Sequence, residues 1–210
     1  MKIARISTAI HELYPRVFYA KHPQLRRKTY EEQKQALNWD AHRWVDSWST
    51  AMAPYGYRMI DITPTIGPLQ QAWAAENNIA FDPARWIWEI PFQQIKNFQP
   101  DILFFEDFQY YSQRWIEELR QACTSIRKVF GWCDSPYRDF SLLNAYDIVL
   151  CTIPEWGQQL KAQGHLVMPM RHAFDPRFLQ RIDLNAPQSI DFSFIGQIAR
   201  GPHGHLERER

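Results

Sequence analysis

The chain has 210 residues, which suits one domain with a substantial core, and its net charge of +1 offers no basic excess to replace phosphate counterions on a nucleic acid. No apolar run approaches the roughly 18 residues of a membrane span, and no signal peptide precedes the first predicted strand. Cys123, Cys133 and Cys151 have neither CxxC nor metal-ligand spacing, so we expect reduced thiols, no metal site and a cytoplasmic location.

Apolar runs alternate with helical segments along the chain. A strand at the amino terminus is followed by a predicted polar and aromatic loop over 8–28. Thr29, with Glu31 and Glu32 behind it, predicts the N-cap and acidic first turn of a helix. Predicted strands occupy 2–7, 57–63, 101–107, 125–132, 147–152 and 165–170. Predicted helices occupy 29–53, 68–77, 91–97, 110–122, 137–144 and 154–163.

The segment DILFFED at 101–107 is nearly continuous in apolar residues, as expected of a parallel strand that is buried on both faces. Strands separated by helical connections predict parallel pairing with right-handed crossovers. The sequence therefore predicts an α/β fold with a Rossmann-like, doubly wound parallel sheet. Ligands bind such sheets beyond the carboxyl ends of the strands, which directs attention to 8–19, 106–111, 133–138 and 154–156.

Three segments carry a family resemblance: RHAFDPRF at 171–178, FSFIGQ at 192–197 and GWCDSPY at 131–137. Together they resemble GT-B glycosyltransferases, and most closely the spore-maturation-type relatives of the glycosyl transferases group 1. The resemblance implies that 1–186 form the N-terminal, acceptor-side domain. It implies that 187–210 hold the linker end, the first strand (190–197) and a helix start of a truncated donor-side domain.

The resemblance also implies the chemistry. A sugar would pass from a nucleotide-sugar donor to a sugar or other hydroxyl acceptor, without a bound metal and without a cofactor beyond the donor. The missing second domain would hold most of the donor, so this chain alone is expected to be inactive. One departure is the loop after the first strand, ISTAIHELYP, which lacks the glycines that many relatives use to approach a phosphate.

Four polar side chains are candidates for the reaction. His11 follows the first strand and titrates near working pH, so it is the candidate general base; a histidine that only bonds to the loop backbone is the alternative. Glu106 and Asp107 end a strand and point to opposite faces, so one would meet the acceptor and the other would cap the next helix. Asp134 either contacts the acceptor or organises the turn before Pro136.

Aromatic side chains near these loops are candidates for stacking on a sugar, since aromatic residues form 15% of the chain. Tyr14, Tyr110 and Tyr137 are assigned to acceptor binding on this basis. The basic segment KHPQLRRK at 21–28 could attract an anionic acceptor or a membrane surface, although a solvated loop is the preferred explanation. Two other functions stay open: a sugar-nucleotide epimerase-like enzyme and a non-catalytic Rossmann-like ligand-binding module.

Overall fold

Six parallel strands form one sheet in the order β2-β1-β3-β4-β5-β6 in a computed structural model that describes residues 1–8, 13–40, 46–134, 140–187 and 189–193. All five strand pairings are parallel. The strands are β1 (Lys2–Ile6), β2 (Arg58–Ile62), β3 (Ile102–Phe105), β4 (Lys128–Cys133), β5 (Ile148–Cys151) and β6 (Val167–Pro169).

Helices connect the strands. They are α1 (Leu13–Lys21), α2 (Tyr30–Asp40), α3 (Ser47–Met52), α4 (Gly67–Glu76), α5 (Trp86–Phe98), α6 (Gln113–Ala122) and α7 (Pro154–Ala162). Short 3-10 helices occupy Pro23–Arg27, Ala53–Tyr55, Phe140–Ala145 and Pro176–Arg181. Within the described ranges, no helix is both long and apolar enough to cross a membrane.

Helices pack on both faces of the sheet. On one face, Trp48 and Met52 of α3 pack against Ile3, Phe104 and Trp132. The opposite face carries the main core, in which side chains of α5, α6 and α7 meet alternate residues of the strands. The predicted α/β fold with a Rossmann-like, doubly wound parallel sheet is therefore confirmed.

A second, smaller core lies where α1 and α2 meet α4, and it corrects one prediction. Phe18 on α1 packs with Leu37 on α2 and Leu69 on α4. The segment 8–28 was predicted as a loop, which was wrong over Leu13–Lys21 and Pro23–Arg27. A nine-residue helix is marginal on its own, so its stability comes from this tertiary packing, which composition alone does not reveal.

Four predicted helices differ from the observed ones, and the one predicted over 137–144 is a 3-10 helix at Phe140–Ala145, with 137–139 outside the described part. The helix predicted over 29–53 is interrupted, because Asp46 has a non-helical backbone (φ −124°, ψ 13°) and occupies the N-cap position of α3, while residues 41–45 lie outside the described part. Helix α5 begins at Trp86 and runs through Pro91, so it is longer than predicted. Helix α6 begins at Gln113 rather than at 110, since Ser112 is its N-cap and accepts from Trp115 N at 3.2 Å.

The chain divides into two compact units, Met1–Ala173 and Phe174–Arg210. In the second unit, the Asp175 side chain caps the 3-10 helix Pro176–Arg181 by accepting from Arg177 N at 3.0 Å. Residues 190–193 of the predicted second-domain strand are not in a strand, and 194–197 lie outside the described residues. The division falls earlier than the expected 186/187 boundary, and that domain assignment stays a prediction.

Candidate functional site

The order of the strands creates one switch point, between β1 and β3. From β1 the chain moves to β2 on one side, and it then crosses back to β3 on the other side of β1. Ser7 N donates to Ile62 O, and Glu106 N donates to Ile6 O, both at 3.0 Å. The residues that follow β1 and β3 therefore lie side by side at the position where doubly wound sheets bind ligands.

A buried triad of charges underlies this position. Arg5, in β1, donates from Nη1 to Asp61 Oδ1 at 2.9 Å and from Nη2 to Glu106 Oε2 at 2.7 Å. The side chains of Arg5 and Asp61 are each 1% exposed and that of Glu106 is 11% exposed. Arg5 is in register with Asp61 on β2, so both side chains project from the same face of the sheet.

The triad has an excess of negative charge, with two carboxylates around one guanidinium. Burial alone would lower the pKa of Arg5, but the Glu106 and Asp61 carboxylates hold that pKa above its ordinary value. Arg5 therefore keeps its charge. Asp61 Oδ2 is buried and has no hydrogen-bond partner among the described residues. Since replacing a buried ion pair by apolar side chains is often neutral or stabilising, this arrangement points to a role beyond stability.

Asp107 turns away from the triad and orders the loop above it. Its Oδ2 accepts from the Thr8 hydroxyl at 3.0 Å, and its Oδ1 accepts from Gln109 N at 3.1 Å. The bond from Thr8 joins the segments after β1 and β3, and the bond from Gln109 N orders the turn after β3. The prediction that one of the two consecutive acids caps the next helix was wrong, because Asp107 caps a turn and Ser112 caps that helix; the predicted contact of the other acid with the acceptor stays a prediction. We call Arg5, Thr8, Asp61, Glu106 and Asp107 the switch-point site.

The predicted aromatic residues fall in two places. Tyr110 follows Asp107 closely, and burial and the Asp107 charge raise the pKa of its phenol. Its ring stacks on Trp88, with centroids 6.4 Å apart. Tyr14 instead belongs to the smaller core: its ring lies 5.8 Å from Phe18 and its hydroxyl donates to Asp40 Oδ2 at 2.6 Å. Burial of the phenol raises the pKa of Tyr14, and the hydrogen bond to the Asp40 carboxylate raises it further.

The remaining predicted site residues are Asp134, His11 and Tyr137. Asp134 directly follows β4, the neighbour of β3, and its side chain is exposed. His11 and Tyr137 lie outside the described residues. Of the predicted residues, Glu106, Asp107 and Tyr110 therefore lie in the segment after β3, and Tyr14 lies in a separate contact with Phe18 and Asp40.

Sequence reasoning missed Arg5, Thr8 and Asp61. A signal was present, since Arg5 in KIARI and Asp61 in RMIDI are charged residues inside short apolar strands. Such residues are almost never fully buried unless they are paired. Two opposite charges inside two strands of one predicted sheet would have suggested this ion pair.

Among the described residues, no group of three or more His, Cys, Asp or Glu side chains is arranged to hold a metal ion. The three cysteines are buried and are not joined in disulfides. No family model, curated protein or solved structure matches the chain. Function must therefore be inferred from the switch-point site itself.

Proposed function

We propose that this chain is the acceptor-side domain of a GT-B glycosyltransferase that moves a sugar from a nucleotide-sugar donor to a hydroxyl acceptor. The observation that carries the proposal is the position of Glu106, directly after β3 at the ligand-binding edge of the sheet. Arg5 Nη2 holds its carboxylate there by donating to Oε2 at 2.7 Å. The resemblance of 131–137, 171–178 and 192–197 to that family supports the reaction type. Buried cysteines that form no disulfide suit a reducing compartment such as the cytoplasm.

In this proposal Glu106 accepts a hydrogen bond from the acceptor hydroxyl, and Arg5 and Asp61 position the carboxylate. His11 or Asp134 takes the hydroxyl proton as general base. The acceptor oxygen then forms a bond to the anomeric carbon of the donor sugar. The bond from that carbon to the diphosphate breaks, and the nucleoside diphosphate leaves with the electron pair.

The direct test uses the protein that contains this chain together with its donor-side domain. Transfer and donor hydrolysis are measured with UDP-, GDP- and dTDP-sugars. Replacing Glu106 by Gln removes a charge-assisted hydrogen bond, so we expect kcat/KM for the acceptor to fall about 10- to 100-fold, while donor affinity changes little. His11→Ala should instead lower kcat about 100-fold or more.

The matched control is Glu117→Gln, since Glu117 is an exposed residue of α6 that bonds only to Gln113 Nε2 at 2.7 Å among the described residues. That variant should transfer sugar at the unaltered rate. If no nucleotide sugar binds to the unaltered protein, the glycosyltransferase proposal is wrong.

A non-catalytic ligand-binding module is the second candidate, and the bonding of Asp107 favours it. Both Asp107 oxygens already accept hydrogen bonds, so this acid is better placed to order a loop than to remove a proton. A binding module would retain a sugar or nucleotide sugar without forming any product. Parallel measurement of binding by calorimetry and of product by chromatography separates the two functions.

A further inference from the structure

An open crevice lies at the outer edge of the sheet, where β2 meets α2, α4 and α5, and its volume is about 360 Å³. Its position is fixed by a contact between two of these helices, since Tyr30 N at the start of α2 donates to Glu76 Oε1 at the end of α4 at 2.6 Å. The crevice is lined by Ile60 and Ile62 of the edge strand β2, whose side chains project from the face of the sheet opposite that of Asp61, the β2 residue of the switch-point site. It is therefore a separate feature, and the nature of its ligand does not depend on the proposed function.

The lining combines carboxamides with aromatic rings. Each carboxamide supplies hydrogen-bond donors and an acceptor, and each ring supplies an apolar face. Trp73 is half-buried, and within the described residues its ring contacts no other aromatic ring and no cation. The lining residues in these two classes are Asn77, Gln94 and Asn97, and Tyr30, Trp73 and Phe98.

Charge at the crevice is balanced. Glu31 and Lys34 are the two charged residues among the described lining residues. Lys34 Nζ lies 5.5 Å from the centroid of the Tyr30 ring, and Glu31 Oε1 accepts from Gln35 Nε2 at 3.2 Å. With one charge of each sign, the described lining residues carry no net charge.

Gln94 is the residue that points to a ligand. Its side chain lines the crevice and is 4% exposed, yet its Oε1 has no hydrogen-bond partner among the described residues. A buried carbonyl without a donor bears the full cost of desolvation. A ligand hydroxyl would supply that donor, and the broad rotation of the terminal carboxamide bond lets Gln94 adjust to it.

We propose that this crevice binds a neutral polyhydroxy ligand, a mono- or disaccharide. Sugar hydroxyls both donate and accept, which matches the three carboxamides, and the C–H face of a pyranose suits the half-buried ring of Trp73. The absence of net charge among the described lining residues disfavours nucleotides and other anions. The volume is at the small end of the range of about 300–1,000 Å³ that is usual for small-molecule sites.

The experiment titrates the full chain with glucose, galactose, mannose, N-acetylglucosamine, maltose and cellobiose, and it records ¹H–¹⁵N spectra. At least one sugar should shift the side-chain signals of Gln94 and Trp73 saturably. Gln94→Met should lower the affinity for that sugar at least about 10-fold, which corresponds to the loss of roughly one hydrogen bond. The unfolding temperature should not fall, because the variant removes an unsatisfied buried acceptor. Trp73→Leu should also lower the affinity for the sugar, because it removes the aromatic ring from the lining.

Gln70→Met is the matched control. Gln70 is also buried with an Oε1 that has no partner among the described residues, but it does not line the crevice. That variant should bind the sugar with unaltered affinity. The proposal is overturned if none of the six sugars shifts these signals at about 10 mM, where millimolar affinity would give clear saturation. It is equally overturned if both Gln94→Met and Trp73→Leu bind as the unaltered chain does.

Discussion

Arg5 occupies a position in β1 where a buried parallel strand ordinarily carries an aliphatic side chain. Its planar guanidinium forms ion pairs with two carboxylates at once, one on each side of the strand. The Glu106 side chain keeps a small exposed fraction at the switch point, while Asp61 on the other side of β1 is fully buried. The charge of Arg5 therefore determines where the Glu106 carboxylate points.

Replacing Arg5 by Met tests this dependence on charge. The change leaves Asp61 and Glu106 buried without their partner, so we expect the free energy of unfolding to fall by about 3–5 kcal/mol. Chemical denaturation followed by tryptophan fluorescence gives this value. Arg114→Met is the control, since Arg114 forms an exposed i,i+4 pair with Glu118 and should change stability by less than about 0.5 kcal/mol. An Arg5→Met variant as stable as the control would contradict the buried-triad account.

Glu32 gives a prediction for pH. Thr29 N donates to Glu32 Oε2 at 2.9 Å and Glu32 N donates to Thr29 Oγ1 at 3.2 Å, which is a capping box at the start of α2. Hydrogen bonds from the Thr29 backbone, the Thr29 side chain and Lys28 lower the pKa of Glu32 from its usual 4.5 to about 2. The folded-state pKa is lower than the unfolded one, so the stabilisation is present above pH 4.5 and is lost as the pH falls toward 2.

The measurement compares the unaltered chain with Glu32→Ala across that pH window. The unaltered chain should be more stable at neutral pH, and the difference should shrink as the pH falls. Glu117→Ala, on the exposed surface of α6, serves as the reference for a carboxyl without a capping role. A difference that stays constant down to pH 2 would show that the capping carboxylate is not the cause.

At the scale of elements, Gly131 sets how closely β4 approaches the segment before β5. A Cβ at this position would lie 2.9 Å from Tyr146 Cδ1, and Tyr146 is held in place because its hydroxyl donates to Phe108 O at 3.1 Å. Gly131→Ala should therefore destabilise the chain by about 1–3 kcal/mol through overpacking. Thermal unfolding monitored by circular dichroism measures this loss of stability.

Gly157 in α7 is the matched glycine, because the nearest atom to an added Cβ is 3.7 Å away. Gly157→Ala should stabilise the chain by about 0.5–1 kcal/mol, since alanine is the better helix former. Equal effects of the two substitutions would mean that contact with Tyr146 does not limit the packing of β4.

Elements with a strong local signal were predicted well, and those that depend on packing were not. The strand at 101–107 and the cap at Thr29 are visible in composition and spacing alone. Helix α1 was missed, because what stabilises it is Phe18 meeting residues of α2 and α4 that are distant in sequence. Helix α5 was predicted to begin only at Pro91. It begins before the proline because Ile90 and Ile95, which lie before and after Pro91, are both buried in the core.

At the scale of the whole molecule, all six strands and all seven described α-helices fall within Met1–Ala173. The main core, including Phe105, Leu119 and Val149, also lies entirely within that unit. We therefore expect a chain that ends at Ala173 to fold by itself, with the circular dichroism and cooperative unfolding of the 210-residue chain. A fragment that lacks dispersed amide signals in its NMR spectrum would show that residues after 173 are needed for the fold.

Local pattern was sufficient to determine that this protein is built on a parallel sheet, because apolar runs of strand length separated by helical segments leave few other solutions. The position of Glu106 at a strand end followed from the same pattern. Strand order and the triad were decided only by the tertiary structure: Arg5 meets Asp61 across 56 residues and Glu106 across 101. Which strands become neighbours depends on how the helices pack over the sheet, and that information is spread along the whole chain rather than carried by any one segment.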